Sequence, residues 1–167
     1  MNNSINERQN EEKSIRYLAA QRQLYSEAKC WNNVLIFTSV IIPILLIILK
    51  EFFKMCDIIK FFIYIYPIIS LATLHSLNSK ISDKKAIAAE IQQYFDIYVF
   101  QIKWSNKLFG KKHDLNNDIA KKYQKLLKNN IEKEKLINWY SNIDSNLNLL
   151  EAIYIYAKKQ IFIGRLI

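Results

Sequence analysis

Glycine and proline are scarce in this chain of 167 residues, with two of each. A β-sandwich or barrel needs many tight turns, and the usual phosphate-binding loops need several glycines, so both are excluded. Cysteine and histidine are equally sparse, again two of each, which leaves no four-ligand Cys/His zinc cluster. Acidic residues are short as well: 15 Asp+Glu stand against 24 Lys+Arg, for a formal net charge of +9. What is plentiful is apolar surface. Hydrophobic and aromatic residues make up 51% of the chain, which excludes disorder as a description of the whole. Mean hydropathy is only −0.06 because two uncharged stretches sit in lysine-rich surroundings.

The first stretch, residues 34–49, reads VLIFTSVIIPILLIIL. Thirteen of its sixteen residues are Val, Leu, Ile or Phe. Extended back to Trp31 it has nineteen uncharged residues, roughly 28 Å of helix and close to the hydrocarbon thickness of a bilayer. Its thirteen large apolar side chains favour insertion by roughly 4–8 kcal/mol. Pro43 would be a serious defect in a soluble helix but is tolerated in a membrane one. The second stretch, residues 61–79, reads FFIYIYPIISLATLHSLNS and is softer, with nine Ile, Leu or Phe and with Pro67, Ser70, Thr73, His75 and Ser76. Tyr66, Ser70, Thr73 and Leu77 fall in one narrow arc at helical spacing. That polar stripe is expected to face protein or water, as a helix interface or a pore lining.

These spans, about 31–49 and 61–79, form a hairpin over 31–79. The short loop between them carries Lys50, Lys54 and Lys60, whereas the outer flanks carry Arg16, Arg22, Lys29, Lys80, Lys84 and Lys85. That asymmetry predicts a multi-pass protein of the inner (cytoplasmic) membrane with both termini in the cytoplasm. A cleaved signal peptide does not fit, because the apolar run follows a long charged region. The soluble alternative, a hairpin buried in a globular core, would need more amphipathic helices to cover it.

Residues 1–30 read as an amphipathic cytosolic helix, with a Ser4–Glu7 capping-box pattern and Ile15, Leu18, Arg22 and Tyr25 at helical spacing. A second helix is expected over 81–109, opened by Ser82 or Asp83 and stopped at Gly110, with Ile87, Ile91, Phe95, Tyr98 and Ile102 as its apolar positions. It is expected to continue from, or dock beside, the second span. A polar connector over 110–117 leads to a lysine-rich helix over 119–135. A turn over 141–146 and a final amphipathic stretch over 147–161 complete a helical cytosolic region, 80–167. The fold class is all-α, a membrane protein with a two-helix transmembrane hairpin and cytosolic helices.

No constellation of acid, base and nucleophile is visible, so the chain reads as a non-enzyme with no catalytic, cofactor-binding or metal-binding residues. His75 and His113 lack ligand-spaced partners, and His113 sits in the polar connector as a solvated side chain. Cys30 and Cys56 would lie about 39 Å apart along a helix, which excludes a disulfide between them. Lys121, Lys122, Lys125 and Lys128 form a basic run around Tyr123. Without a base-reading motif it is assigned to membrane topology and anionic lipid heads rather than to nucleic acid.

One order of residues goes further. It opens with Arg8-Gln9 after Glu7, then Gln21-Arg22 and Tyr25 ahead of the first span; Phe95-Asp96 follow the hairpin, then Trp104, then Trp139-Tyr140-Ser141 and Ala152-Ile153. In this the chain resembles the SMODS and SLOG-associating four-transmembrane effectors over roughly residues 5–155. The resemblance implies pore-forming membrane effectors of bacterial nucleotide-signalling antiviral defence systems, homo-oligomeric when active and triggered by an upstream nucleotide-signalling sensor. It also implies a second hairpin, which this chain does not reach. Residues 156–164 stand where the family has a Cys-Gln-like stretch, and their adenine-rich lysine codons are compatible with a shift of reading frame, which the gene sequence would decide. The chain as given is therefore expected to insert in the lipid bilayer as an incomplete, non-toxic form. The alternative is a non-enzymatic, membrane-anchored binding or scaffold module.

Overall fold

The computed structural model describes residues 4–52, 57–127, 135–140, 150–151 and 153–154. Among them there is no strand, and the all-α class holds. In chain order the helices are α1 (Ile5–Asn10), α2 (Glu12–Ile36), a π-helical turn (Phe37–Ile41), α3 (Ile42–Phe52), α4 (Asp57–Phe100), α5 (Asn106–Phe109) and α6 (Asn116–Leu127). The chain divides into two compact units, Leu24–Ala88 and the combination of Met1–Gln23 with Ala89–Ile167.

The first of these is the hairpin unit. Among the described residues two helical stretches, Glu12–Lys50 and Lys60–Phe100, are long and apolar enough to cross a membrane. Neither of their most apolar windows is buried by the described residues. Ile47 is 61% exposed, Ile68 70% and Leu71 69%. A soluble core helix would be covered, so this exposure argues against the soluble alternative and for a lipid cover. Nearer the ends of the spans the two helices do pack: Leu24, Ala28, Leu77, Ile81 and Ala88 are buried. Lys84 pairs with Glu27 at 2.7 Å, and the Lys80 ammonium lies 5.3 Å from the Trp31 ring centre. The first span is not uniformly α-helical. The Ile42 N–H bonds the Phe37 carbonyl, five residues back, and Pro43 follows at once. A proline clashes with the carbonyl four residues before it, and the wider π turn takes up the crowding. Pro67 lies inside α4 without ending it.

The second unit has a conventional core. Ile15, Leu18 and Ala19 of α2 meet Phe95, Val99 and Phe100 of α4, with Leu126, Leu136 and Tyr140 closing over them. Helical periodicity accounts for much of this, since Ile15, Leu18, Ile91 and Phe95 are the expected inward positions and all are buried. Ser4 and Glu7 form the expected reciprocal capping box. The helix it opens is short. α1 stops after six residues, with Glu11 extended at φ −63°, ψ 149°. Ser14 Oγ then donates to the Arg8 carbonyl at 2.6 Å, beside the Glu11 N–H at 3.3 Å.

The helix expected over 81–109 is drawn differently. Ser82 and Asp83 cap nothing, because α4 runs through them as one helix from the second span. It ends at Phe100 because Gln101 takes a left-handed conformation, φ 53°, and the Ile102 N–H reaches back to the Ile97 carbonyl at 3.1 Å. This is a Schellman closure, built here without glycine. Gly110, expected to stop the helix over 81–109, instead follows the short separate α5, at φ +76° and ψ −169°. The lysine-rich helix begins at Asn116, earlier than expected, and is described as far as Leu127. The turn over 141–146 lies outside the described residues, as does most of the final stretch.

Gly110→Ala places a Cβ where nothing lies within 4 Å, so the change acts through backbone strain alone. A glycine-only region of φ/ψ predicts a loss of about 1–3 kcal/mol, read as a lower unfolding midpoint with the helical signal of the folded protein retained.

Candidate functional site

One residue of the stripe foreseen in the second span, Tyr66, bonds the neighbouring helix. In the π turn, the amide that would next serve the Thr38 carbonyl belongs to Pro43, which carries no hydrogen. The Tyr66 hydroxyl donates to that carbonyl. A backbone acceptor freed in an apolar stretch is thus satisfied from the neighbouring helix, as a bilayer demands. Thr73 Oγ1 folds back onto the Ile69 and Ser70 carbonyls at 2.8 and 2.9 Å. Ser70 is half-buried and Thr73 exposed.

The other candidate residues divide by position. Arg8, Gln9, Phe95, Asp96 and Tyr140 converge in the second unit. Arg8 is buried and its Nε donates to the Val99 carbonyl at 2.7 Å. Gln9 is fully buried, and its Oε1 accepts the Tyr140 backbone N–H at 2.9 Å. The Tyr140 ring packs against Phe95 and Phe100, both at 5.5 Å between centres. Its hydroxyl donates to Asp96. Burial pushes the Asp96 carboxyl up to about 6, against the lowering effect of that hydrogen bond. Gln21 donates to Gln92 at 2.8 Å, and its own Oε1 is buried with no partner. Arg22 is half-buried, Tyr25 is 39% exposed and Trp139 41% exposed. Ser141 lies outside the described residues.

Several residues in the same unit give no sequence motif. Asn10 and Asn138 bond reciprocally, Nδ2 to Oδ1 and backbone N–H to Oδ1, each at 2.8 Å, with Asn138 left-handed at φ 54°. With Gln9 they fasten residues 138–140 to α1. His113 is not simply solvated: its Nδ1 lies 2.9 Å from Glu90. Burial alone would raise the Glu90 pKa, but hydrogen bonds from Tyr94 and His113 outweigh it and hold the carboxyl below its ordinary value.

Beside this network is a cavity of about 510 Å³. Tyr17, Tyr94, Tyr98 and Trp104 supply rings, Arg8, Lys13 and Lys112 positive charge, and Glu11 one carboxylate. Tyr94 packs against Tyr17 at 6.3 Å and against Trp104 at 5.3 Å between centres. Lys13 sits over the Tyr98 ring at 4.5 Å and Lys112 over the Tyr94 ring at 5.4 Å. The Trp104 indole N–H donates to Asn106 and to the Gly110 carbonyl, both at 3.0 Å. The available signal was the four-residue spacing of Lys13 with Tyr17 and of Tyr94 with Tyr98, which puts each pair on one helix face. Among the described residues no group of three or more His, Cys, Asp or Glu is placed to hold a metal ion.

An uncovered apolar helix pair and a helical unit held by buried polar side chains define an all-α membrane-associated protein. The family described as the SMODS-associating 4TM effector domain matches residues 3–156, and the chain belongs to that family. It is similar to a "Probable CBASS effector molecule" of Bacillus cereus (strain VD146), 31% identical over 145 residues, which cover 83% of this chain. The match spans 47% of that relative, so the chain spans about half the length of the curated relative it matches. No solved structure matches.

Two substitutions probe these contacts. Tyr66→Phe removes the donor to the Thr38 carbonyl and is expected to destabilise the hairpin by about 1–3 kcal/mol, read as a lower midpoint in detergent or lipid. Asp96→Asn tests the raised carboxyl. The native state holds its proton to higher pH than the unfolded chain, so this group's stabilisation is full below pH 3.8 and is lost as pH rises towards 6. The Asp96→Asn variant should therefore be more stable than the parent at pH 7, by on the order of 1 kcal/mol, and the difference should vanish near pH 4.

Proposed function

We propose that this chain acts at the inner (cytoplasmic) membrane as an effector of bacterial antiviral defence, triggered through a nucleotide-signalling system and working by opening a pore. The observation that carries the membrane part is the exposure of both apolar windows, which no other described segment covers. Membership of the effector-domain family and the name of the Bacillus cereus relative support the defence role. The stripe supports the pore reading: Tyr66, Ser70 and Thr73 lie along one face of the second span, with the Tyr66 hydroxyl held by the Thr38 carbonyl and that of Thr73 by its own helix. Two spans cannot enclose water and hide their polar faces at once, so conduction requires several copies of the chain. The reading assigns the protein no enzymatic step. Its domain boundaries follow the sequence: an amphipathic cytosolic helix over 1–30, the hairpin over 31–79 and a cytosolic helical region from residue 80.

The scaffold reading rests on the lysine-rich helices, whose charge could dock a partner at the membrane surface. Induced expression in a bacterial host, with a voltage-sensitive dye, separates the two. The experiment uses this chain and the longest product its gene yields. Growth arrest with depolarisation in either supports the pore, whereas harmless membrane localisation of both supports the scaffold.

Ser70→Leu with Thr73→Leu removes polar cost, so insertion should be intact while depolarisation by the conducting form is abolished. Topology is tested separately. A reporter active only outside the cytoplasm, fused after residue 167 of this chain, should give no signal.

A further inference from the structure

We propose that the end of the hairpin at Trp31 and Lys80 binds the headgroup of an anionic phospholipid. Two rungs join α2 and α4 there. Glu27 and Trp31 are four residues apart on α2, and Lys80 and Lys84 four apart on α4, so each pair shares a helix face. The pairing is antiparallel: Lys84 meets Glu27 at 2.7 Å, and the Lys80 ammonium lies 5.3 Å from the Trp31 ring centre.

The rungs differ in charge. Lys84 faces a carboxylate, and both of those side chains are largely covered. Lys80 is exposed and faces a ring, and among the described residues no carboxylate pairs with it. An aromatic face attracts a cation without neutralising it. The Trp31 indole N–H likewise finds no acceptor among the described residues. The outer rung therefore presents a cation and an N–H donor side by side, and a phosphate diester accepts from both. Lys29 and Lys85 are exposed as well, but they lie about 160° and 140° around their helices from Trp31 and Lys80.

Position selects a lipid over a soluble phosphate. After Trp31 nothing is charged until Lys50, and before Lys80 nothing back to Lys60. Beyond the rung Val34, Phe37 and Leu71 are 39%, 53% and 69% exposed. A headgroup held by Lys80 thus has uncovered apolar surface beside it for its acyl chains, and Trp31 stands where a bilayer's headgroup region favours tryptophan. A zwitterionic lipid brings its own cation to its phosphate and gains less from Lys80. This inference rests on the membrane part of the proposed function and adds to it the class of lipid that the hairpin gathers.

The test uses the full chain with Trp104→Phe and Trp139→Phe, which leaves Trp31 as the one tryptophan. It is placed in nanodiscs of phosphatidylcholine with increasing phosphatidylglycerol, and one lipid at a time carries brominated chains, which quench a tryptophan they touch. Brominated phosphatidylglycerol should quench Trp31 as though enriched about fivefold over its share of the bilayer, the effect of one lysine at a lipid surface. Lys80→Gln should abolish the enrichment and Lys80→Arg should keep it. Lys85→Gln, with the same loss of charge off this face, should keep it too. Native mass spectrometry of the chain with its tryptophans intact should show the same order of retained phosphatidylglycerol, free of any effect of the two substitutions in the second unit. Millimolar glycerol phosphate should not displace the lipid. The proposal is overturned if both lipids quench in proportion to their share, if Lys85→Gln costs as much as Lys80→Gln, or if glycerol phosphate competes. If neither brominated lipid quenches Trp31, the membrane reading fails and the lipid site falls with it. Quenching by both lipids without preference leaves the membrane reading standing and removes only the site.

Discussion

A backbone N–H or C=O that loses its helical partner must find another, and at several breaks among the described residues this chain meets that demand with a polar side chain. The need is sharpest in the first span, where Pro43 and the π turn leave the Thr38 carbonyl to the Tyr66 hydroxyl. The same rule governs the second unit. Ser14 serves the Arg8 carbonyl at the break after α1, Arg8 serves the Val99 carbonyl near the end of α4, and Gln9 receives the Tyr140 N–H. Tyr94 serves the His113 carbonyl at 2.6 Å. Arg8 and Gln9, which look functional in the sequence, are thus committed to backbone and buried rather than displayed.

This commitment decides what the second unit can tolerate. Its apolar core is small, built around Phe95, Leu18 and Leu136, each essentially without solvent exposure. The segment carrying Leu136 and Tyr140 belongs to no long helix. It is held by Asn10, Gln9 and Asp96, so apolar packing and polar fastening act on the same few residues. Leaving one of these partners unpaired costs more than the bond itself contributes, because the survivor stays buried. Asp96 illustrates the balance: its carboxylate accepts a hydrogen bond yet is disfavoured by burial, and burial wins.

Much of the architecture was legible in the residues. Two uncharged stretches announce the spans, and Ser4 with Glu7 announces a helix start. Each is a local signal with a local cause. The break at Glu11 was not legible, since nothing between Ile5 and Ile15 disfavours a continuous helix by propensity, and the Ser14 side chain that supports the break is a residue at home in many settings. The end of α4 was missed for a similar reason: Gln101 holds a left-handed turn that sequence reasoning reserves for glycine or asparagine. The docking of residues 138–140 was hidden because Asn10 and Asn138 are 128 positions apart. The cavity was hidden in part for the same reason, its walls coming from three separated segments.

The π turn also changes how the first span should be mapped. Accommodating one additional residue in a single turn rotates everything beyond it by about 100° relative to an unbroken α-helix. A single helical wheel drawn from Trp31 to Leu49 therefore assigns the wrong neighbours to its two ends. Two wheels are needed, one closing at Ile36 and one opening at Ile42. Side chains that share an azimuth on paper, such as Val34 and Ile41, part company across the turn, while others are brought into line. Losing one residue within Phe37–Ile41 would restore a plain α ladder and leave the far half of the span on the face it already presents, because the lost residue and the lost π turn cancel.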